Sequence, residues 1–294
     1  MLTSLAVLVL RTFPLWWPFP RGKGIAARCL LTAAKLGLIG PGWAKQDGFW
    51  LWTDIEDFNQ RETAMGAFDK TVLAATKACL SKGDVFIDIG ANIGYLSLIA
   101  SRQTGPTGRV VAFEPNPATA EVLRQNLRRN EAANVSVREM ACSDRSGSVD
   151  FFTGTKRHSG RASLSQENSG GTAVVRAQCC VLDDVLENEQ LPGIALIKAD
   201  TEGAELSVLA GAKETIRKYR PIVLVEVDSN LLSAFDAKPA DISQFFEELG
   251  YSFSPIGTTN WLFRPGRIWR ELYKSSPAIP TKRSDAAEGH ASGF

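Results

Sequence analysis

A glycine-rich bend between an apolar run and a helix-like segment constrains this chain more than any other feature. Val85-Phe86-Ile87-Asp88-Ile89 predicts a buried strand, and Gly90-Ala91-Asn92-Ile93-Gly94 follows it as a turn into a helix that starts near Ile93. Gly90 allows a tight turn where a Cβ would clash, and Gly94 allows the helix to start close to the strand and to a ligand. A glycine turn without a ligand is the alternative that two glycines alone leave open.

Strand-like and helix-like segments alternate after this bend. Near-continuous apolar strands that alternate with helices indicate a mainly parallel sheet with helices on both faces. We predict a doubly wound α/β domain over residues 68–266, after an N-terminal extension over 1–67 and before a helix turn and disordered tail over 267–294. The predicted strands are 85–89, 109–113, 135–138, 194–199, 222–227, 251–255 and 261–263. The predicted helices are 69–80, 118–130, 205–219 and 241–249, besides the one near Ile93.

Two segments break this alternation. Residues 49–58 form a short β-like stretch that is typical of a hairpin or the edge of a lid. Residues 148–181 hold two alternating runs, 148–153 and 173–181, around the polar loop 154–171. A loop of this length in a compact domain is usually functional or mobile, so we expect it to fold over a bound small molecule.

Composition and charge exclude several partners. The net charge is +1, without the basic field of a nucleic-acid binder, so we predict no nucleic-acid partner. The five cysteines show no CxxC spacing, which argues against a structural zinc site. An odd cysteine count without a disulfide framework is typical of a reducing compartment, so we predict a cytoplasmic protein.

The N-terminal extension leaves two interpretations open. Its apolar run, Leu2–Leu10, is too short to span a bilayer and has no preceding Lys or Arg, unlike a signal peptide. An amphipathic pattern over 25–39 favours a helical cap packed on the main domain. Trp16 and Trp17 support the other interpretation, which is peripheral docking on a membrane.

An acidic residue at the end of the second predicted strand identifies the class of ligand. Glu114 lies 24 residues past Gly90, where a carboxylate can accept hydrogen bonds from both hydroxyls of a ribose. A dinucleotide site would read G-x-G-x-x-G, but the first Gly-x-Gly is missing here and Asp88 stands just before the turn. Because that carboxylate repels a diphosphate and suits ammonium and sulfonium charges, the pattern favours S-adenosylmethionine over NAD.

Three blocks resemble the FkbM family of methyltransferases. They are 83–94 (GDVFIDIGANIG), 113–117 (FEPNP) and 198–205 (KADTEGAE), and the resemblance covers about 68–263. It implies a seven-stranded class I methyltransferase fold, S-adenosylmethionine as donor, and O-methylation of a hydroxyl, often on a sugar or natural product. It also implies a set of cofactor-binding residues. These are Asp88, Gly90, Ala91, Asn92 and Gly94 at the methionine end, Glu114 at the ribose, and Asp144, in the segment 141–144, near the adenine.

The third block can also be interpreted from physical chemistry, independently of the resemblance. In a doubly wound sheet the ligand lies outside the carboxyl ends of the strands, where strand order reverses. Asp200, Glu202 and Glu205 would then place three carboxylates at a helix N-terminus that faces the same crevice as Gly90. The alternative is capping of the helix by Asp200 or Thr201, with Glu202 complementing its dipole. Three acids exceed what capping needs, so we favour a functional role.

Methyl transfer to a hydroxyl needs positioning and a nearby base. The candidates for the catalytic base are Asp200, Glu202 and His158 of the polar loop, and the candidates for binding substrate are Glu205 and Glu226. We predict no metal, because Asp200 and Glu202 have no third ligand at a useful spacing.

Two functional hypotheses follow from these residues. The first is an O-methyltransferase that acts on a small hydroxylated acceptor, either a carbohydrate, a glycolipid or a natural product. The second is a non-catalytic protein of the same fold that binds an adenosine ligand or associates with a membrane. Charges in the third block favour the first hypothesis, because a site that had lost its activity would not need them.

Overall fold

The computed structural model describes residues 31–34, 36, 40–155, 158–171, 173–187 and 189–266. The predictions for the apolar N-terminal run, for Trp16 and Trp17, and for the tail 267–294 lie outside these residues, as does most of the amphipathic segment 25–39. Within the described ranges, no helix is long and apolar enough to cross a membrane.

Strands and helices alternate as the sequence predicts. The strands are β1 Gly42–Gln46, β2 Phe49–Thr53, β3 Val85–Ile89, β4 Arg109–Phe113, β5 Val135–Arg138, β6 Ala141–Cys142, β7 Gly147–Phe152, β8 Val174–Cys180, β9 Leu196–Ala199, β10 Ile222–Glu226, β11 Tyr251–Ile256 and β12 Asn260–Pro265. The helices are α1 Phe58–Ala64, α2 Lys70–Cys79, α3 Tyr95–Thr104, α4 Pro117–Arg129, α5 Gln166–Ser169, α6 Leu182–Glu187, α7 Glu205–Ala210, α8 Lys213–Tyr219, α9 Ser229–Ser233 and α10 Pro239–Glu248.

A seven-stranded sheet forms the centre of the protein, in the order β11-β12-β10-β9-β3-β4-β5. Strand β3 pairs in parallel with β4 on one side and with β9 on the other, whereas β12 is antiparallel to β10 and β11. The chain builds outward from β3 through β4 and β5, then returns to build outward through β9 and β10. This arrangement confirms the predicted doubly wound, mainly parallel sheet, and it places the strand-order reversal between β3 and β9.

Both faces of the sheet are buried, which explains the near-continuous apolar strands. On one face, Ile87 and Ile89 pack in a cluster with Phe263. On the other, Phe86 packs with Leu96 and Ala100 of α3. Because side chains alternate along a strand, Asp88 lies on the same face as Phe86 and points toward α3.

The structure corrects the predicted helix 205–219. It is two helices, α7 and α8, that are separated at Gly211 and Ala212. A Cβ on Gly211 would meet the carbonyl of Ser143, so a side chain there is excluded by a backbone contact that the sequence pattern does not show. The capping alternative is also wrong, because the N-cap of α7 is Ala204 and it has no side-chain capping bond.

The two segments outside the main alternation form small sheets. Strands β6, β8 and β7 make a three-stranded sheet that includes the predicted hairpin 148–181. Strand β2 covers the first half of the stretch predicted over 49–58, and its hairpin partner is β1, which the sequence analysis missed. The hairpin is tied to α4, because the side chains of Asn130 and Asn126 accept hydrogen bonds from the backbone of Trp50 and Trp52, at 2.8 and 2.6 Å.

Candidate active site

A cavity of about 390 Å³ lies at the carboxyl ends of β3, β4 and β9. We call its sheet-bound side the cavity floor, defined by residues 90–92, Glu114, Lys198 and the turn 200–204, and we call this turn the acid turn. We call the opposite side the cavity wall, defined by α1 and residues 158–171. The cavity therefore lies where the doubly wound topology predicts a ligand.

The Gly90 bend is fixed by its backbone. Gly90 and Ala91 both donate a backbone hydrogen bond to the carbonyl of Phe113 at the end of β4, at 3.1 and 2.9 Å. Gly90 has a φ of +79°, and a Cβ on it would overlap the carbonyl of Asp200. The bend is therefore held between the ends of two neighbouring strands and leaves no room for a side chain, as the sequence predicts.

Gly94 has a different role from the predicted one. Its φ is +84°, and a Cβ there would meet the Leu123 side chain of α4. Gly94 does not line the cavity, whereas Gly90, Ala91 and Asn92 do. The structure therefore explains Gly94 by the packing of the start of α3 on α4 and not by the approach of a ligand.

Glu114 faces the cavity from a buried position. Only 6% of it is exposed. One carboxylate oxygen accepts a hydrogen bond from the backbone of Asn92 at 2.9 Å, and the other accepts one from the backbone of Asn116 at 3.0 Å. Burial raises the pKa of Glu114 to about 7, although these two bonds and Lys198 lower it. Each oxygen retains a lone pair for a further donor, such as a ribose hydroxyl.

Asp88 does not line the cavity, in contrast to the prediction. It is fully buried, and its Oδ2 accepts a hydrogen bond from the hydroxyl of Ser97 at 2.6 Å. The Nζ of Lys198 lies 3.7 Å from Asp88 Oδ1 and 3.2 Å from Asp200 Oδ2, and it donates a 2.8 Å hydrogen bond to the carbonyl of Gly90. Burial raises the pKa of Asp88, and the positive charge of Lys198 opposes that shift.

Lys198 is the residue at this site that the sequence analysis missed. It interrupts the apolar run Leu196-Ile197-Lys198-Ala199. A lysine within a predicted buried strand is unusual, and this is the signal by which the sequence could have revealed it. Because Lys198 lies beside Asp88, the glycine bend faces less negative charge than the sequence suggests.

The turn between β9 and α7 is shaped by Glu205. Only 1% of this residue is exposed. Its Oε1 accepts hydrogen bonds from the backbone of Thr201 at 2.7 Å, from the Thr201 hydroxyl at 3.0 Å and from the backbone of Gly203 at 3.2 Å. Burial raises its pKa to about 7. Glu205 does not line the cavity, so its contacts support the turn and not the substrate contact that we predicted.

Three carboxylates of this region lie close together. Asp200 and Glu202 line the cavity, and oxygens of Asp200, Glu202 and Glu226 lie within 4.8 Å of one another. The Oε2 of Glu226 is buried and has no hydrogen-bond partner in the described part of the chain. Burial raises the pKa of Glu202 to about 8 and that of Glu226 to about 10, and Asp200 adds to both shifts.

These three acids could hold a divalent cation, and Glu226 is the third ligand that the sequence spacing did not show. The sequence spacing missed it because β10 brings Glu226 beside the end of β9 from a position 26 residues downstream of Asp200. Lys198 already places a positive charge 3.2 Å from Asp200. We therefore assign no metal to this group.

The cavity wall is anchored to the acid turn by side chains. Asn168 donates hydrogen bonds from its amide to the carbonyls of Glu202 and Leu231, both at 2.8 Å. Ser163 donates one to the carbonyl of Glu202 at 3.0 Å. Gly160 approaches α1 so closely that a Cβ on it would overlap the side chain of Asn59. The polar loop is therefore closed over the cavity, with Ala162 and Leu164 lining it.

Besides Asp88, Gly94 and Glu205, three further predicted residues lie outside the cavity lining, namely His158, Asp144 and Glu226. The ring of His158 lies 5.4 Å from that of Phe58, which itself lines the cavity, so the role of His158 as a base stays a prediction. Asp144 accepts a 3.0 Å hydrogen bond from Ser143 and does not reach the cavity. Other residues of the segment after β5 do line it, namely Met140, Ala141 and Cys142.

Comparisons with known proteins agree on one family. The family profile described as Methyltransferase FkbM domain matches residues 88–253, more than half of the chain. Hexuronic acid methyltransferase AglP of Haloferax volcanii is 28% identical over 165 residues, which are 56% of this chain and 62% of that protein. The 2-O-methyltransferase NoeI of Sinorhizobium fredii is 31% identical over 166 residues, which are 52% of this chain and 67% of that protein.

A solved structure, that of Methyltransferase FkbM from Methylobacillus flagellatus, aligns with 63% of this chain and 44% of that chain at 19% identity and a TM-score of 0.45. The match covers 62% of the length of AglP, so the chain spans less than two thirds of that protein.

Proposed function

We propose a function for this chain, which belongs to the FkbM methyltransferase family. We propose that the protein transfers a methyl group from S-adenosylmethionine to a hydroxyl of a carbohydrate, glycolipid or natural product. The observation that carries the proposal is the convergence of the Gly90 bend, Glu114 and Asp200 on one cavity. Relatives named as a hexuronic acid methyltransferase and a 2-O-methyltransferase support the choice of acceptor class.

The residues of the cavity floor fit S-adenosylmethionine. Glu114 is a buried carboxylate with free lone pairs, which suits the two ribose hydroxyls. Because Gly90 has no Cβ, it packs against the carbonyl of Asp200, which keeps these two cavity-lining segments close together. Met140, Ala141 and Cys142 offer an apolar surface for the adenine. Asp200, together with Glu202 in its ionised form, supplies negative charge toward the sulfonium and ammonium groups.

The same two acids suit the chemistry of the acceptor. When bound, the cofactor supplies a methyl carbon on a positively charged sulfur, and that carbon–sulfur bond breaks as the bond to the acceptor oxygen forms. Asp200 takes the proton that the acceptor hydroxyl loses. Burial raises the pKa of Glu202 to about 8, so Glu202 can serve as a second base in its ionised form, whose fraction grows as the pH rises above neutrality. Glu226 does not line the cavity, and its carboxyl lies behind Asp200 and Glu202, whose oxygens are within 4.8 Å of its own.

Positioning is the other contribution of the protein. Displacement at a methyl carbon needs the acceptor oxygen in line with the bond that breaks, and correct placement is a large part of such catalysis. The cavity wall closes over the acceptor through Asn168 and Ser163, which fix residues 158–171 on the acid turn. The wall also excludes water from the reacting atoms.

A screen of hydroxylated acceptors with isotope-labelled S-adenosylmethionine, read by mass spectrometry, tests the proposal. We expect a labelled methyl ether on at least one sugar, glycolipid or natural product, and its loss in Asp200→Asn. Thermal shift provides the parallel test of the cofactor: S-adenosylmethionine and S-adenosylhomocysteine should both raise the Tm, and NAD should not. Binding of both nucleosides with no methylation of any acceptor would support the non-catalytic alternative.

A further inference from the structure

Lys198 is a charged residue in the core of the sheet. It lies in β9, directly opposite Asp88 of β3 in the parallel register. Only 9% of its side chain is exposed. A buried ammonium group is unfavourable unless it is paired, so the contacts of Lys198 must offset a large desolvation cost.

The contacts of Lys198 reach three different parts of the site. Its shortest is the 2.8 Å hydrogen bond to the carbonyl of Gly90, followed by Asp200 at 3.2 Å and Asp88 at 3.7 Å. Charge compensation of Asp88 would need only the last of these. The two shorter contacts join the glycine bend to the acid turn.

We propose that Lys198 is a positioning residue for methyl transfer, which fixes the Gly90 bend and the Asp200 carboxylate relative to each other. The inference rests on the proposed function, in which the bend lies on the donor side and Asp200 on the acceptor side. An ammonium group has three donors in tetrahedral directions, and it therefore holds a carbonyl and a carboxylate at a set separation. A neutral side chain of similar size would fill the space and leave Asp200 free to rotate.

The surroundings keep Lys198 charged. Burial lowers its pKa, but the Asp200 and Asp88 carboxylates outweigh this, so the pKa lies above its ordinary value. Glu226 also raises the pKa of Lys198, and Lys198 in turn lowers the pKa of Glu114 and of Glu202. The charge of Lys198 thus acts on acids beyond the two that it pairs with, so its loss would also affect the rest of the cavity floor.

A matched pair of variants separates positioning from charge compensation. Asp88→Asn removes the buried carboxylate and serves as the background, and Asp88→Asn/Lys198→Met then removes the ammonium group without leaving Asp88 unpaired. For both variants we would measure the Tm, the Kd for S-adenosylhomocysteine, and kcat and KM with an acceptor from the screen. Wild-type protein and the single variant Lys198→Met complete the set.

We expect the double variant to keep a Tm close to that of Asp88→Asn while its kcat falls by about thirtyfold or more, because small misplacements of reacting groups lower rates by up to about a hundredfold. The single variant Lys198→Met should also lose thermal stability, because Asp88 is then buried without its partner. A double variant with the kcat and Kd of Asp88→Asn would overturn the proposal and leave Lys198 as a compensating charge only.

The outcomes also separate this inference from the proposed function. If wild-type protein binds S-adenosylhomocysteine but methylates no acceptor, the methyltransferase proposal fails, and Lys198 is tested by binding alone. The double variant should then bind S-adenosylhomocysteine about tenfold more weakly than Asp88→Asn, because an unrestrained Gly90 bend is less preorganised. Equal binding by the two variants would contradict the role of Lys198. A wild-type protein that binds neither nucleoside would overturn both.

Discussion

Gly90 in the floor of the cavity and Asn168 in its wall are held in place by different kinds of contact. In the floor, Gly90 is fixed by backbone hydrogen bonds to the end of β4 and by its contact with the Asp200 carbonyl. In the wall, the loop that contains Asn168 is fixed by side-chain hydrogen bonds. Backbone contacts exclude most substitutions, whereas side-chain contacts can be exchanged one at a time. We therefore expect substitutions at Gly90 to be tolerated less well than substitutions at Asn168.

The strongest test of the rigid floor is Gly90→Ala. A Cβ at this position overlaps the carbonyl of Asp200, and the φ of +79° is unfavourable for alanine. We expect S-adenosylhomocysteine to bind at least about a hundredfold more weakly by isothermal titration calorimetry, because the displaced turn carries Asp200 and Glu202 with it.

Gly94→Ala is the matched control. Gly94 has a similar φ of +84°, but its Cβ would meet the end of the Leu123 side chain, outside the cavity. We expect a loss of stability of about 1–3 kcal/mol from overpacking, with an unchanged Kd for the nucleoside. An equal loss of affinity in both variants would show that the contact with the Asp200 carbonyl does not explain the effect of Gly90→Ala.

The next largest effect should come from Asp200→Asn. The variant keeps the size of the side chain and removes the base, so we expect kcat to fall by about 10²–10⁴-fold in a methyl-transfer assay. The Kd for S-adenosylhomocysteine should change far less than kcat. A variant that methylates at the wild-type rate would exclude Asp200 as the base and leave Glu202 and His158.

The raised pKa of Glu114 predicts that the affinity for S-adenosylhomocysteine depends on pH. Burial raises its pKa to about 7, so the ionised fraction rises from about one tenth at pH 6 to about nine tenths at pH 8. Ribose hydroxyls donate to the ionised form, so we expect about tenfold tighter binding of S-adenosylhomocysteine at pH 8 than at pH 6. Glu114→Gln should bind more weakly and without this dependence. Equal pH dependence in both proteins would contradict the assignment of Glu114.

The raised pKa of Glu114 also makes the stability of the unliganded protein depend on pH. The folded pKa of Glu114 lies above its ordinary value of 4.5, so its contribution to stability is fully present below that value. It is lost as the pH rises through about 7. A Tm that falls over this window in wild-type protein, and falls less in Glu114→Gln, is the expected result.

A smaller effect is expected in the wall. Asn168→Ala removes two hydrogen bonds that hold the loop, one to Glu202 of the acid turn and one to Leu231 of α9. We therefore expect KM for the acceptor to rise by about three- to tenfold at constant Kd for S-adenosylhomocysteine. Gln166→Ala, on the exposed side of the same helix, is the control and should change neither value. An equal loss of nucleoside affinity in Asn168→Ala would show that wall and floor are not separable.

Chelation should have the smallest effect. Lys198 places a positive charge beside Asp200, so we expect EDTA to leave the rate of methyl transfer unchanged. A loss of activity that added Mg²⁺ restores would instead assign a cation to Asp200, Glu202 and Glu226.

Local patterns in the sequence were sufficient for the floor. Strands 85–89, 109–113 and 135–138 were predicted with the bounds that the structure has, because apolar runs between turn residues carry that information. Gly90, Glu114 and Asp200 were found because topology places residues that end neighbouring parallel strands at one edge. These predictions use only short-range pattern and a known sheet order.

Residues whose roles depend on distant partners were missed or misassigned. Lys198 and Asp88 are 110 residues apart, and only the register of β3 with β9 brings them opposite each other. Gly94 was interpreted as a ligand contact, but its neighbour is Leu123 of α4. Gly211 follows the end of α7, where a Cβ would meet the carbonyl of Ser143, a contact that no helical pattern contains. Tertiary packing decides each of these, and a single sequence does not encode it locally.

A crystal structure of the protein with S-adenosylhomocysteine is the most direct test of the cavity floor as the donor site. We expect the nucleoside to lie over the Gly90 bend, with both ribose hydroxyls at about 2.6–3.2 Å from the Glu114 oxygens. A nucleoside bound elsewhere at saturating concentration, or a cavity that stays empty, would contradict the assignment.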